Sequence, residues 1–229
     1  MGDAFSFTLV TRRFARAHPR RDTVGAVAVY RVRVGKFLFS FAAALCALSL
    51  HRRERFDAVW AIMANRAGAA ALLFKLFHPH APLVLTLQEG DPIPDIMRAV
   101  GILRPLFKML FHRALVVTAI SAYLADWAKK MDARKVVVVP NGVDIGRFKK
   151  QKTGIKKEEK KIITVSRLVP KNGVVDVIEA MRYLPAEYTL EIVGWGPLEE
   201  FLKLKVKSLR LEERITFVGE VTHAELHAY

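Results

Sequence analysis

The sequence predicts an α/β fold built on parallel sheets. Short apolar strands alternate with helical segments along most of the 229 residues, and several strands are continuously apolar, which is typical of a parallel sheet with both faces covered. Hydrophobic residues make up 52% of the chain, so a packed core is expected rather than global disorder. The alternation starts again near residue 161, which indicates a second α/β unit.

In the first half, apolar runs bounded by turn residues predict six strands. These strands are expected at residues 6–11, 26–32, 57–61, 83–88, 114–120 and 136–139. Four helices are predicted between them, at residues 36–53, 66–77, 103–111 and 122–131. The second half predicts strands at residues 161–166, 189–193 and 215–218, and helices at residues 174–183 and 197–207. Residues 222–229 resemble a helix start, because Thr222 and Glu225 have the spacing of a capping box.

The clearest change in composition falls at residues 149–161, which contain seven lysines and almost no apolar residue. We interpret residues 149–160 as a solvated linker between an N-terminal domain, residues 1–148, and a partial C-terminal domain, residues 161–229. The alternative is contact with a membrane surface or with nucleic acid. The lack of interleaved aromatic residues weakens the nucleic-acid version.

The net charge of +15 and the pI of about 10.1 favour anionic partners. The single cysteine, Cys46, excludes an internal disulfide and fits a reducing cytosol. Residues 37–50 form the most apolar helix, but at ~1.5 Å per residue they reach only roughly 21 Å, short of a hydrocarbon core of about 30 Å. We therefore expect a cytoplasmic protein with this helix buried, or in peripheral contact with the inner face of the membrane.

Two basic residues follow the first strand of the second half. Arg167 and Lys171 lie in the turn after that strand, at the end where open α/β sheets bind ligands. Arginine offers a planar fork to phosphate oxygens and lysine a mobile point charge, so the pair could hold the phosphates of a nucleoside diphosphate. The alternative is a pair of solvated loop cations. Asn172 and Gly173 then permit a tight turn into the next helix.

A Gly-Trp-Gly-Pro turn at residues 194–197 follows the next strand. Gly194 and Gly196 would let the backbone approach a ligand closely, and Pro197 suits the first position of a helix. Trp195 could cover a ring of the ligand or cap the core. An ordinary βα turn is the alternative.

Polar residues also follow the strand at residues 83–88. Gln88, Glu89 and Asp91 place an amide and two carboxylates at the end of that strand, a set suited to binding sugar hydroxyls or to acid/base work. The alternative is a polar loop with an aspartate helix cap. The seven histidines show no pair at metal-ligand spacing supported by carboxylates, so no metal site is predicted.

Five segments, taken together and in order, resemble the retaining glycosyltransferases of family 4, also called glycosyl transferase group 1. They are P-N-G-V-D-x3-F at residues 140–148, S-R-L-V-P-K-N-G with V-I-E-A-M, I-V-G-W-G-P, R-I-T-F-V-G-E-V and E-L-H-A-Y. The first half adds F-D-A-V-W, L-T-L-Q-E-G-D and A-I-S-A-Y-L. Each motif is weak by itself, but the resemblance covers nearly the whole chain.

The resemblance implies the GT-B fold, in which two Rossmann-like domains face each other across a cleft. It also implies transfer of a hexose, with retention, from a nucleotide-sugar to a glycan or lipid-linked acceptor, without a metal or other cofactor. The donor, linked to UDP or GDP, would be a substrate. A nucleic-acid partner is not expected, because lysine and arginine are dispersed and no nucleic-acid motif occurs.

Site residues follow from the resemblance by position. Arg167 and Lys171 would be catalytic, neutralising the donor diphosphate as the nucleotide leaves. The donor-binding residues would be Gly194, Gly196, Phe217 and Gly219. The acceptor side would be lined by Gln88, Glu89 and Asp91.

The sequence departs from the family pattern in three ways. Asn172 stands where the family usually has a lysine before the glycine, and Gln88 where it often has a histidine. The family's first strand and glycine-rich loop would precede Phe7, and its Glu-x7-Glu segment would follow Tyr229. We therefore expect a chain truncated at both ends, with reduced or no activity alone and with sheet edges prone to self-association. The alternatives are a non-catalytic nucleotide-binding remnant and a subunit completed by a partner.

Overall fold

The computed structural model describes residues 5–146, 148 and 160–229. The chain divides into two compact units, Met1–Asn141 and Gly142–Tyr229. Of the predicted linker at residues 149–160, only Lys160 lies within the described residues, and it begins a strand. Every helix in the described ranges is too short or too polar to span a bilayer.

The described part of the first unit contains seven strands, five α-helices and the 3-10 turn Gly101–Leu103. The strands are β1 (Phe7–Arg12), β2 (Arg21–Val24), β3 (Val27–Val32), β4 (Val59–Ile62), β5 (Leu83–Leu87), β6 (Val116–Ala119) and β7 (Val136–Val138). The helices are α1 (Phe39–Glu54), α2 (Arg66–Phe77), α3 (Ile93–Val100), α4 (Arg104–Arg113) and α5 (Ala122–Lys130). All ten elements predicted for this half are present, and β2 and α3 are additional.

The strands of this unit form two sheets. The first has the order β4-β5-β6-β7 and is parallel throughout, as the sequence predicts. The second has the order β1-β3-β2, in which β1 and β3 are parallel but β2 is antiparallel to β3. A two-residue turn with Gly25 at φ +59° joins β2 to β3, a conformation that suits glycine. The antiparallel strand β2 is thus an addition to the predicted parallel sheets.

The core of the first unit lies against the four-stranded sheet. Alternate leucines of β5, Leu83, Leu85 and Leu87, are completely buried there. Helices α2, α4 and α5, together with buried residues of β4 and β6, supply most of the rest of the core. Phe111 of α4 and Trp127 of α5 pack edge to face with ring centroids 5.3 Å apart, which is a favourable aromatic geometry.

The second unit contains a three-stranded parallel sheet of order β10-β9-β8, formed by β8 (Lys160–Val165), β9 (Tyr188–Val193) and β10 (Ile215–Gly219). Its helices are α6 (Val174–Ala180) and α7 (Glu199–Ser208). A second core fills this unit, with Ile178, Leu190 and Leu202 among its fully buried members. The repeated strand–helix pattern predicted from residue 161 onwards is confirmed.

Three helix predictions need correction in this unit. The helix predicted at residues 174–183 is α-helical only to Ala180 and continues as the 3-10 turn Met181–Tyr183. Helix α7 begins at Glu199, so Pro197 is not its first residue. The reason is that Leu198 N donates to Leu168 O at 3.1 Å. This hydrogen bond ties the turn after β9 to the turn after β8, so the helix starts only after Leu198. The capping pair forms, with Thr222 N donating to Glu225 Oε2 at 3.2 Å, but only a 3-10 turn, Leu226–Ala228, follows.

Candidate functional site

An open cavity of about 180 Å³ lies where the carboxyl ends of β8, β9 and β10 meet. Because the three strands are parallel and adjacent, each runs into its turn at the same edge of the sheet, which is where open α/β sheets bind ligands. The lining residues are Val165, Ser166, Arg167, Val193, Gly194, Trp195, Glu220, Val221 and Leu226. The structure thus brings Arg167, Gly194 and Trp195 together, as the sequence predicted from their positions after two successive strands.

Gly194 and Gly196 bring two neighbouring turns into close contact. A Cβ on Gly194, whose φ is +130°, would lie 1.9 Å from Ser166 O, and one on Gly196 would lie 2.5 Å from Leu168 O. Leu168 N also donates to Trp195 O at 3.0 Å. These glycines are therefore needed for contact between the turns themselves. Gly194 also lines the cavity, whereas Gly196 is not among the lining residues.

Arg167 is exposed at the cavity, and its own backbone is held in place. Its carbonyl oxygen accepts from Asn172 Nδ2 at 2.7 Å and from Val169 N at 2.9 Å. Asn172 therefore closes the turn that carries Arg167. This hydrogen bond was not expected from the sequence, where Asn172 is predicted only to form a turn in place of a lysine, although asparagine side chains often bond to backbone groups nearby.

Lys171 lies in the 3-10 turn Pro170–Asn172, exposed and outside the residues that line the cavity. Phe217 packs against the core, with Lys203 Nζ 6.0 Å from its ring centroid, and it does not line the cavity either.

Gly219, with φ +84°, accepts from Gly194 N at 2.7 Å through its carbonyl oxygen. Of the residues carried over from the family pattern, only Arg167 and Gly194 lie directly on the cavity.

Six lining residues were not expected from the sequence, namely Val165, Ser166, Val193, Glu220, Val221 and Leu226. Glu220 follows β10, so it joins the site because β10 lies beside β9. Among the lining residues the charged side chains are those of Arg167 and Glu220, and Trp195 is 57% exposed beside them. The Ser166 hydroxyl is buried without a hydrogen-bond partner in the described part of the chain. The arrangement can offer a ligand one cation, one carboxylate and one aromatic face.

The predicted acceptor residues lie in the first unit, near the end of β5. Glu89 Oε1 accepts from Ala64 N, which follows β4, so this carboxylate joins the ends of two adjacent strands. Its other oxygen, Oε2, is buried and has no partner within the described residues. Burial raises the pKa of Glu89, and hydrogen bonds from backbone N–H groups oppose that rise.

Gln88 and Asp91 are both exposed. Gln88 Nε2 donates to Asn141 Oδ1 at 3.4 Å, a long contact across to the segment after β7. Helix α3 has Pro92 rather than Asp91 at its N-cap, so the alternative of an aspartate cap is wrong. Within the described ranges, no three histidine, cysteine, aspartate or glutamate side chains come together as a metal site requires.

Comparison with protein families matches nearly the whole sequence. The model for Glycosyltransferase Family 4 matches residues 3–147, and the model for Glycosyl transferases group 1 matches residues 146–229. The chain therefore belongs to glycosyltransferase family 4. This confirms the family resemblance, whereas the retaining mechanism and the truncation remain predictions.

Two curated relatives are similar over part of this chain. WcaL of Salmonella typhimurium, named as a colanic acid biosynthesis glycosyltransferase, is 32% identical over 120 residues, which cover 50% of this chain and 30% of WcaL. TuaC of Bacillus subtilis, named as a teichuronic acid biosynthesis glycosyltransferase, is 29% identical over 147 residues, covering 60% of this chain and 37% of TuaC. The matched region thus spans about a third of each relative.

Solved structures share the fold. Anabaena HepE in complex with UDP has a TM-score of 0.74 at 17% identity, covering 97% of this chain and 71% of that one. HepE in complex with UDP and glucose has a TM-score of 0.69 at 21% identity, covering 86% of this chain and 56% of that one. These likenesses confirm the predicted α/β fold class with parallel sheets, of the GT-B type.

Proposed function

We propose that this chain takes part in hexosyl transfer from a nucleotide-sugar to a glycan or lipid-linked acceptor, with retention of configuration, in the synthesis of a cell-envelope polysaccharide. The observation that carries this proposal is the cavity at the ends of β8, β9 and β10 with Arg167 on its lining. The names of WcaL and TuaC support the polysaccharide context.

In the proposed reaction, the bond between the anomeric carbon and the diphosphate oxygen breaks. A bond forms between that carbon and an acceptor hydroxyl oxygen, and the hydroxyl proton passes to the diphosphate or to solvent. Negative charge grows on the departing diphosphate, so a cation placed there stabilises the transition state more than the ground state. The exposed guanidinium of Arg167 has that role, and Lys171 from the same turn assists it.

The donor is a nucleotide-sugar linked to UDP or GDP. Support for a nucleotide comes from the cavity itself, where the exposed Trp195 offers a face for stacking beside Arg167. Structures of the neighbour HepE contain UDP. In the proposal no cofactor takes part, and the donor is consumed as a substrate.

Of the three residues predicted to line the acceptor side, Gln88 and Asp91 are assigned to direct contact with the acceptor, and Glu89 to holding the loop that carries them. Gln88 and Asp91 are exposed and can exchange hydrogen bonds with sugar hydroxyls. Glu89 has a different role, because one oxygen is engaged with Ala64 and the other is buried. Glu89 therefore holds the end of β5 in position and would meet an acceptor only after the loop moved.

A second candidate is a nucleotide-binding module without turnover, either a remnant or a subunit completed by a partner. One observation favours this second candidate. Arg167 is the single cation among the lining residues, which is a modest charge for a diphosphate.

Calorimetric titration of the full chain with UDP and GDP tests the binding step. Arg167→Ala should weaken binding by about tenfold or more, since hydrogen bonds to charged groups contribute about 1.5–3 kcal/mol. The matched control is Arg182→Ala, because Arg182 is exposed in the same unit but does not line the cavity. Equal loss in both variants, or no binding by the folded wild type, would overturn the proposal.

Transfer is then measured separately, with a sugar donor and acceptor glycans, and the anomeric configuration of the product is read by NMR. A product of retained configuration supports the enzyme. Nucleotide binding that depends on Arg167, with no product, favours the module without turnover.

A further inference from the structure

An exposed apolar surface runs along α1 and the turn before it. Phe37, Leu38, Phe41 and Leu45, here called the α1 stripe, are 77%, 61%, 60% and 67% exposed. Phe41 and Leu45 are four residues apart, so they lie on the same side of the helix, and Phe37 stands a further four residues earlier. Four large apolar side chains are thus presented together to solvent.

The stripe is not needed to hold α1 in the fold. Ala43, Ala44 and Leu50 are the buried residues of the helix, and α1 packs with them against α2 and β1. The helix therefore has two apolar sides, of which one already serves the core. A helix that is apolar on a second, exposed side is characteristic of contact with another apolar phase.

Cations surround the stripe. Lys36 Nζ lies 5.1 Å from the Phe37 ring centroid, and Arg66 Cζ lies 5.8 Å from the same centroid. At the far end of the helix, Arg52 and Arg53 are exposed. The acidic residue of this helix, Glu54, accepts a hydrogen bond from Thr8 Oγ1 at 2.9 Å. The surface therefore combines apolar side chains with positive charge at both ends.

We propose that the α1 stripe docks on an anionic lipid bilayer, with its apolar side chains at the acyl boundary and the cations at the level of the lipid phosphates. Charge complementarity favours this occupant, because a surface of apolar residues between cations matches the apolar and anionic layers of such a membrane. The stripe extends over only about two helical turns, so α1 lies in the interface and does not cross it.

The inference rests on the proposed function in one respect, since a lipid-linked acceptor gives membrane contact its purpose. Its physical basis is independent, because the stripe belongs to the first unit and the nucleotide cavity to the second. Vesicle binding without any nucleotide therefore tests the docking surface alone. Failure to bind vesicles leaves Arg167-dependent nucleotide binding intact, and the reverse also holds.

The experiment is cosedimentation of the full chain with two kinds of vesicle, phosphatidylcholine alone and phosphatidylcholine mixed with phosphatidylglycerol. The key comparison is Leu45→Gln with Leu204→Gln, because both leucines are 67% exposed on helices and only Leu45 belongs to the stripe. Leu45→Gln should lower partitioning into anionic vesicles by about tenfold, and Leu204→Gln should leave it within about twofold. Lys36→Gln should lower it by about fivefold, with a weaker dependence on salt.

Circular dichroism and thermal unfolding verify that the variants are folded, which is expected for exposed positions. The proposal is overturned if the wild type does not bind anionic vesicles, if the two leucine variants lose binding equally, or if Leu45→Gln binds like the wild type. Light scattering measures the oligomeric state and so tests whether a second copy of the chain, rather than a bilayer, covers the α1 stripe. A wild-type dimer that Leu45→Gln converts to a monomer, with vesicle binding unchanged, would also overturn it.

Discussion

Gly194 sits where two turns touch, with its amide bonded to Gly219 O and its α-carbon against Ser166 O. A methyl group there would have to displace backbone atoms, which cannot rotate away as a flexible side chain does. The positive φ adds strain for any residue with a Cβ. This position therefore links the geometry of the cavity to the stability of the second unit.

We expect Gly194→Ala to lower the free energy of unfolding by about 2–4 kcal/mol, because clash and backbone strain add. Urea denaturation followed by circular dichroism measures the change. Gly142→Ala is the matched control, since nothing lies within 4 Å of a Cβ built there, and it should change stability by less than about 0.5 kcal/mol. Equal effects at the two positions would contradict the close approach of the turns.

Glu89 provides a test that depends on pH. Because burial raises its pKa, the folded state favours the protonated carboxyl. The stability that protonated Glu89 contributes is complete below its unfolded-state pKa of about 4.3. That stability is lost as the pH rises through the higher pKa of Glu89 in the folded state. Glu89→Gln keeps an oxygen that can accept from Ala64 N, but it cannot ionise.

We therefore expect the free energy of unfolding of Glu89→Gln to rise relative to that of the wild type as the pH increases from about 4 through the raised pKa of Glu89. Denaturation curves of both proteins across this range measure the difference. The test is whether the difference in free energy of unfolding between the two proteins changes with pH. A difference that is constant with pH reflects only the new amide group. Parallel pH profiles would show that Glu89 is not held in a desolvating site.

Part of the site could be predicted from single residues. Arg167 and Gly194 were found because a cation or glycine directly after an apolar strand falls at the ligand-binding edge of a parallel sheet. Glu220 and Leu226 could not be found in this way, because their presence depends on β10 lying beside β9. Phe217 was assigned to the donor by position, but its side chain packs with the core.

At the scale of elements, α2 depends on its first hydrogen bond. Asn65 is the N-cap, and its Oδ1 accepts from Ala67 N at 2.8 Å. This satisfies one of the amides that a helix start leaves unpaired. The helix packs against α1 and β4, so its stability affects the whole first unit.

We expect Asn65→Ala to destabilise the chain by about 1 kcal/mol, since the cap acceptor is lost. Asn65→Ser retains an acceptor at the same position and should recover most of that loss. Chemical denaturation of the three proteins measures the series. If serine proves as destabilising as alanine, the side-chain cap does not stabilise α2.

Most elements with strong apolar patterns were predictable, but two elements were missed for different reasons. Strand β2 has no such pattern, whereas α3 has apolar residues at helical spacing that are obscured by the prolines at its start. All four residues of β2 are exposed, so its sequence shows no alternation, and its pairing arises from the turn at Gly25. Helix α3 has no fully buried residue, although Ile93, Ile96 and Met97 pack on the core from outside. The start of α7 was misplaced because hydrogen bonds to Leu168 hold residues 195–198 in a turn.

At the scale of the whole molecule, sheet edges and charge act against each other. In the described part of the first unit, β1 is hydrogen-bonded only to β3 and β4 only to β5, so each has an edge without strand hydrogen bonds, although the ring centroids of Phe7 on β1 and Trp60 on β4 lie 6.3 Å apart. Phe7, Leu9, Trp60 and Ile62 on these strands are 47–56% exposed. Open apolar edges favour association, whereas the net charge of +15 opposes it through repulsion that salt screens.

We expect the wild type to self-associate increasingly with salt, and Ile62→Lys to reduce that association, because a lysine on an edge strand disfavours pairing. Light scattering over a range of protein and salt concentrations measures it. Leu204→Lys adds the same charge on a helix away from these edges. If it reduces association equally, net charge rather than the β4 edge is responsible.

The hydrogen bonds that tie the turns after β8, β9 and β10 together also constrain how this site can diversify. Gly194 N joins Gly219 O, and Leu168 N joins Trp195 O, so an insertion in any one turn would break contacts with the next. The exposed side chains of Trp195 and Glu220 take no part in these backbone hydrogen bonds. Relatives that accept different donors would then differ by exchanging side chains at these two positions, while the turns keep their lengths.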